Sequence, residues 1–259
     1  MNLKGNTILI TGGASGIGFH LAKALTELGN KVVITGRDQA KLTKAEQAIP
    51  GLKTIRSDAG QAKDIQSLQA TVAKDFPELN VLVNNAGIMR TVNLHKPVDS
   101  LEDLTREIEI NLMGPIRMVA TFLPMLKQRQ EAAIVNVSSG LAFVPLPTSP
   151  IYCATKAAVH SYTRSLRVQL KGTNVKVFDL APPATETEML TGSTDAEDLK
   201  GVAVMKVQDL VAHAIRGMER NQMEIRPGQA NQLRFMNRVA PEFILGQLSK
   251  PVERMLRKS

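Results

Sequence analysis

From the first residues to about position 227, short β-branched runs alternate with longer stretches whose apolar residues recur at helical spacing. Strands are predicted at about 6 to 11, 31 to 35, 53 to 57, 80 to 84, 132 to 138, 174 to 180 and 223 to 226. Helical periodicity fills 16 to 29, 38 to 49, 61 to 75, 100 to 128, 150 to 171 and 207 to 221, and several of these segments end at Gly or near Pro. Strand runs without polar alternation, separated by amphipathic helices, belong to a parallel sheet buried on both faces. The expected fold is therefore α/β, a Rossmann-type doubly wound sheet of seven parallel strands with helices on both faces.

Two segments break the alternation. Residues 183 to 205 mix Thr, Gly and acids without a clear period and read as a substrate lid, giving a main domain of 1 to 229. Residues 230 to 259 form a C-terminal extension, with Leu245, Leu248, Val252 and Met255 at helical spacing among Lys250, Arg254, Arg257 and Lys258. That is an amphipathic, basic helix. It either packs on the body or on a second subunit, or lies on a membrane surface.

Composition narrows the function classes. A chain of 259 residues with 43% hydrophobic content can bury a full core. One cysteine, Cys153, excludes an intramolecular disulfide, and the opening Met-Asn-Leu-Lys-Gly shows no leader, so a cytoplasmic location is expected. The net charge of +8 is spread along the chain and only 3% of residues are aromatic, which argues against nucleic acid as a partner. The histidines His20, His95, His160 and His213 lack metal-ligand clustering, and no metal is assigned.

The run Thr11-Gly12-Gly13-Ala14-Ser15-Gly16-Ile17-Gly18 follows a strand and opens a helix, so backbone N–H groups and the helix dipole can meet a pyrophosphate. After the second strand, Gly36 occupies the position where a carboxylate would bind the ribose 2′-OH of NAD, and Arg37 follows. A guanidinium can bind a 2′-phosphate, which makes NADP(H) the expected cofactor in preference to NAD(H), with Asp38 alongside as the contrary sign. Asp58 could accept from an adenine amino group or serve the start of the helix near 61. Asn84-Asn85-Ala86-Gly87 ends the fourth strand and suits a turn against the adenosine ribose or a purely structural turn.

Tyr152 and Lys156 stand four residues apart, which on a helix places phenol and ammonium on one face. A tyrosine with an ordinary pKa of about 10 is a poor acid or base near neutrality, and a nearby ammonium would favour its phenolate. Cys153 beside it reads as a small core residue.

These motifs, with Asn111 in Asn-Leu-Met-Gly, Ser139 in Asn-Val-Ser-Ser-Gly and Pro182 to Thr187, closely resemble the short-chain dehydrogenase/reductase family. The runs Ser138 to Phe143, Tyr152 to Ala158 and Leu180-Ala-Pro-Pro look like its DltE-like oxidoreductases. The resemblance implies that Tyr152 is the general acid in carbonyl reduction, that Lys156 lowers its pKa and holds the nicotinamide ribose, and that Ser139 binds the substrate oxygen. It implies that Asn111 holds a water leading to Lys156, or simply bridges backbone groups. It also implies that Pro182, Thr185 and Thr187 border the nicotinamide, and that the protein is a homodimer or homotetramer. Pro183 stands where the family usually has Gly, which puts the nicotinamide contacts in question.

Hydride arriving at a carbonyl carbon leaves negative charge on oxygen, which needs a donor and a proton together; Ser139 and Tyr152 supply them. Ile88, Met89, Leu141, Phe143, Val144, Leu146, Met189 and Leu190 border the expected site and are apolar, so an apolar ketone or aldehyde is the expected substrate. The alternative is an NADP(H)-binding accessory protein of cell-envelope metabolism.

Overall fold

The computed structural model describes residues 1–193 and 202–257. Seven parallel strands form one sheet in the order β3-β2-β1-β4-β5-β6-β7: β1 Thr7–Thr11, β2 Lys31–Gly36, β3 Lys53–Arg56, β4 Leu79–Asn84, β5 Ala132–Val137, β6 Val175–Leu180 and β7 Glu224–Ile225. The strand order reverses between β1 and β4, and in such sheets the crevice outside the strand C-termini at that point is where ligands bind. β1 and β5 are buried at every position. Their unbroken apolar runs follow from having helices on both faces.

One apolar cluster, including Ile8, Ile10, Leu21, Leu25, Val83 and Phe178, lies under α1 (Gly16–Glu27) and α8 (Val207–Glu219). The other, including Leu9, Leu68, Leu82, Phe122 and Ile134, lies under α3 (Ala62–Asp75), α5 (Gly114–Lys127) and α6 (Pro150–Gln169). The remaining helices are α2 (Gln39–Ala48), α4 (Leu101–Ile108), α7 (Glu188–Ser193), α9 (Gln229–Val239) and α10 (Pro241–Arg257). Asp38 caps α2 by accepting from the Lys41 N–H and Ser100 caps α4 by accepting from the Asp103 N–H, both at 3.1 Å.

Three expected elements differ. The single helix over 100 to 128 is two α-helices joined by a π turn, Glu109–Met113, with Asn111 at its centre. The expected lid at 183 to 205 contains α7 and a bridge between Thr185 and Met205; its residues 194 to 201 lie outside the described ones. The C-terminal extension is two helices, because Pro241 cannot continue α9 and its ring pushes Ala240 out of the helical region. Leu245, Leu248, Val252 and Met255 of α10 are half-buried, while Phe235, Val239 and Phe243 are exposed; Lys258 lies outside the described residues.

Candidate active site

The glycine-rich turn is built by contacts that exclude a Cβ. A Cβ on Gly12 would stand 2.8 Å from Ala86 Cα, one on Gly13 2.4 Å from Ile34 Cβ, and one on Gly18 2.4 Å from the Gly12 carbonyl oxygen. Gly16, at φ +53°, is different: the nearest atom to a Cβ there is a Thr187 methyl at 3.5 Å. Helix α1 then starts at Gly16 with no side-chain cap from Ser15 and no acid in its first turn. Its first N–H groups and the positive end of its dipole suit an anion, and half-buried Ser15 and Ile17 border them.

The end of β4 is tied to this turn rather than presented to a ligand. Asn85 Nδ2 donates to the carbonyls of Thr11 and Gly12 at 3.0 Å each, and Thr11 Oγ1 accepts from the N–H groups of Asn85 and Ala86 at 3.0 and 3.1 Å. The Asn85 Nδ2 hydrogens therefore hold the glycine turn to the end of β4. Asp58 accepts from the Gly60 N–H at 2.9 Å, so one carboxylate oxygen shapes the turn before α3. Arg37 is exposed at the end of β2, and Arg56 lies against it, donating to the Arg37 carbonyl at 3.2 Å. Asp38, the contrary sign in the sequence, is spent as the α2 cap.

Tyr152 and Lys156 lie one turn apart on α6, both buried, with Lys156 Nζ 5.6 Å from the Tyr152 ring centroid. Ser139, at the end of β5, is the other wall: its Oγ accepts from the Leu141 N–H at 3.1 Å, and it is close enough to Tyr152 to influence the phenol. Lys156 Nζ donates to the Val137 carbonyl at 2.9 Å. A buried ammonium has two more donors to satisfy, and a Cβ on Gly87 would come within 3.6 Å of Nζ. That unfilled donor capacity beside a glycine could hold a ribose hydroxyl, and the uncapped α1 N-terminus a pyrophosphate.

Electrostatics run against one expectation. Burial pushes the Tyr152 phenol up to about 12, only partly offset by its hydrogen bond to Ser139, with Cys153 and Glu107 adding to the rise. Burial pushes Lys156 down to about 8, against the pull of Asp179. In the protein alone the phenol is thus raised rather than lowered, because desolvation by burial is the largest influence on it. Cys153, also pushed up by burial to about 11, is an inert core thiol.

Asn111 bridges backbone groups. Its Oδ1 accepts from the Ile88 N–H at 2.9 Å, and its Nδ2 donates to the Ile88 carbonyl at 2.8 Å and to Thr155 Oγ1 at 3.2 Å. Both amide hydrogens and one lone pair of Oδ1 are thereby engaged. One turn earlier, fully buried Glu107 accepts from the Arg90 N–H at 3.0 Å. Asn111 and Glu107 therefore hold alternate residues of the segment 88–90.

Glu107 was not anticipated, and neither was the Ser138, Asp179, His160 group. Ser138 Oγ donates to Asp179 Oδ1 and His160 Nδ1 meets Oδ2, both at 2.5 Å. An acid inside the apolar strand Val-Phe-Asp-Leu was the available signal.

Among the expected pocket residues, Ile88, Met89, Leu141, Phe143, Leu146 and Leu190 are half-buried and Met189 is exposed. Val144 is a correction: it is fully buried and lines no opening. Pro182 and Pro183 use their carbonyls inside the fold, accepting from the Gly140 N–H at 2.7 Å and from Thr185 Oγ1 at 2.9 Å. Thr187 bonds to the Thr185 carbonyl at 3.3 Å. Next to it, Glu188 pairs with Lys41 of α2 at 2.7 Å, strapping α7 across the glycine turn. Among the described residues no helix is long and apolar enough to cross a membrane.

An open parallel sheet with an anion-ready helix N-terminus at its switch point, facing a Ser, Tyr and Lys cluster, defines a nucleotide-binding oxidoreductase. The short chain dehydrogenase profile matches residues 6–198, and the chain belongs to that family. It is 40% identical over 249 residues to the uncharacterized oxidoreductase DltE of Bacillus subtilis (strain 168), covering 96% of this chain and 98% of that protein, which sets it in the DltE-like subgroup. Among solved structures, 3-ketoacyl-(acyl-carrier-protein) reductase of Brucella melitensis, complexed with NADH, is 30% identical with a TM-score of 0.76, covering 83% of this chain and 91% of that one. A short chain dehydrogenase of Burkholderia cenocepacia J2315 in complex with NADP is 24% identical with a TM-score of 0.81, covering 96% and 99%, and shows the shared fold.

Proposed function

We propose that the protein reduces an apolar ketone or aldehyde with NADPH, with Tyr152 as the proton donor. The observation that carries this reading is the meeting of Ser139, Tyr152 and Lys156 in one buried cluster beside the α1 N-terminus. The cofactor supplies hydride when bound; the protein's part is to hold the carbonyl oxygen and protonate it. Ser139 already accepts from Leu141, so its own hydroxyl hydrogen is available to the carbonyl oxygen. Tyr152 O–H gives its proton to that oxygen as charge develops, and Lys156 stabilises the resulting phenolate and binds the ribose.

NADP(H) is favoured over NAD(H) by exposed Arg37 and Arg56 at the ends of β2 and β3, with the Asp38 carboxylate turned into the α2 cap. Thr185 and Thr187 border the nicotinamide end, and Met89, Leu141, Phe143 and Met189 the substrate. A second copy of the chain covers the apolar groove of about 550 Å³ between α4 and α6, lined by Leu94, Leu104, Ile108, Leu112, Pro150 and Ile151. The protein works as a homo-oligomer in the cytoplasm.

The test is NADPH consumption over a panel of hydrophobic aldehydes and ketones. At least one should be reduced, and Tyr152→Phe should lower its rate by about 100-fold or more. A panel that consumes no NADPH above the Tyr152→Phe background would sink the proposal.

A further inference from the structure

Beside the active site, four arginines converge on one carboxylate. Glu224 of β7 has Arg226 and Arg234 on Oε2, Arg234 at 3.1 Å, and Arg167 and Arg164 near Oε1 at 3.8 and 4.0 Å. A single carboxylate accepts one guanidinium well, in a paired fork. Here both oxygens are shared. The other acid in reach, Asp179, already accepts from Ser138 and meets His160.

Arg167 has a structural explanation, because it donates to the carbonyls of Val177 and Met223 and ties β6 to β7. The other three are not needed for that tie. Like charges crowded beside one carboxylate repel, yet Arg164 remains 62% exposed and Arg234 34%, open to a further anion.

The cluster borders the substrate side. The Arg234 guanidinium lies over the Phe143 ring, 6.0 Å from its centroid, and Phe143 meets the edge of His160 at 5.0 Å. Helix α9, which carries Arg234, rests on Gly140, where a Cβ would lie 3.3 Å from Ala230 and Leu233. Gly140 follows Ser139 directly, so apolar Phe143 separates the oxygen-binding serine from the arginines. An apolar wall with a proton donor at one end and guanidinium groups at the other suits an elongated ligand, apolar in the middle and anionic at its far end.

We propose that Arg164, Arg226 and Arg234 bind the phosphate or carboxylate end of the carbonyl substrate. This deepens the reading of the protein as a carbonyl reductase and rests on it for the other end of the ligand. Guanidinium forks recognise either oxyanion, and the test separates the two.

The first arm needs no turnover. With the protein saturated with NADP⁺, so that the cofactor's own phosphate sites are filled, inorganic phosphate and then acetate are titrated while the arginine Nε–Hε signals are followed by NMR. The Arg226 and Arg234 signals, assigned from Arg226→Gln and Arg234→Gln, should move saturably, and the anion that moves them at lower concentration names the preferred group. Arg234→Lys, which keeps the charge and the network, should retain weakened binding. Immobile signals, or movement shared equally by all exposed arginines, overturn the site.

The second arm compares one aryl aldehyde as its phosphate monoester, its carboxylate and its neutral methyl ester. An anionic form should exceed the neutral ester in kcat/KM by about tenfold, the size of one charge-assisted hydrogen bond. That preference should shrink through KM in Arg234→Gln, the anionic forms losing more than the neutral ester. Equal kcat/KM for all three overturns the proposal and leaves carbonyl reduction standing. Moving arginine signals with no aldehyde reduced means the opposite: the anion site stands and the reductase reading fails.

Discussion

Asn111 grips Ile88 by both ends of its amide, accepting the Ile88 N–H at 2.9 Å and donating to the Ile88 carbonyl at 2.8 Å. The π turn around Asn111 makes this possible by widening the helix at the point where β4 runs out into the active-site segment. A strand end normally leaves such groups to water. Here the Asn111 side chain pairs both groups of Ile88 and fixes the segment that carries Met89.

Asn111→Leu should therefore be destabilising before it is anything else. It leaves a donor and an acceptor of Ile88 unpaired in a part-buried place, at about 1–3 kcal/mol each. Urea unfolding of the protein without cofactor should show a loss of about 2–5 kcal/mol, with Asn111→Asp, which keeps the acceptor, losing less. If the unfolding midpoint of Asn111→Leu matched the parent, the clamp would have no energetic weight.

Lys156 should weaken the fold at neutral pH. Its pKa falls from 10.5 to about 8 on burial, so below about 8 the folded state holds a charge it disfavours while the unfolded chain holds it freely. Stability should rise as pH goes from about 8 to 10.5, where the unfolded state binds more protons than the folded one. Removing the ammonium should lift a penalty of about 3 kcal/mol at the cost of about 1 kcal/mol for the orphaned Val137 carbonyl. Lys156→Met should thus gain about 2 kcal/mol at pH 7 and lose the alkaline rise, as urea titrations at a series of pH values would show. A variant less stable than the parent at pH 7 would contradict this.

The sequence carried the sheet, its strand order class and the Ser139, Tyr152 and Lys156 cluster, because each depends on local pattern: apolar runs, helical spacing, glycines after a strand. What it hid depends on register between elements. Glu107 looks like a solvated helix acid in Leu-Thr-Arg-Glu-Ile, and only the approach of the Arg90 N–H makes it a buried acceptor. The π turn is likewise imposed by what Asn111 must reach. The bonds from Asn85 Nδ2 to the Thr11 and Gly12 carbonyls likewise depend on how β4 meets the glycine turn. Two features were legible and passed over: Ala240-Pro241, which divides the C-terminal extension, and Asp179, a charge inside an apolar strand.

Arg37 should set the choice of cofactor. With Asp38 occupied at the α2 N-terminus, the nearest counter-charge to a 2′-phosphate is the guanidinium, and one charge-assisted contact of about 1.5–3 kcal/mol corresponds to roughly 10- to 150-fold in affinity. Arg37→Ala should weaken NADPH by about that factor in calorimetric titration and leave NADH nearly unchanged. Arg56→Ala should have a smaller effect in the same direction. An NADPH to NADH affinity ratio unmoved by Arg37→Ala would overturn the assignment.

Tyr152 can be observed directly, because the chain has two tyrosines and no tryptophan. In Tyr162→Phe, the ultraviolet phenolate signal after a rapid rise in pH reports Tyr152 alone. It should titrate near 12, and since the ordinary value is 10.0, this phenol adds stability that is full below 10 and lost as pH rises through about 12. By then Lys156, at about 8, is neutral, so in the protein alone the lysine cannot be the cation that stabilises the phenolate. Adding Lys156→Met should accordingly leave the cofactor-free midpoint within about half a unit. With saturating NADP⁺ the midpoint should fall by a unit or more, and that fall should shrink in Lys156→Met, because the cofactor's ribose and positive ring are what let the ammonium and the phenolate coexist. A cofactor-free midpoint that Lys156→Met raises by more than a unit would return the tuning to the lysine alone.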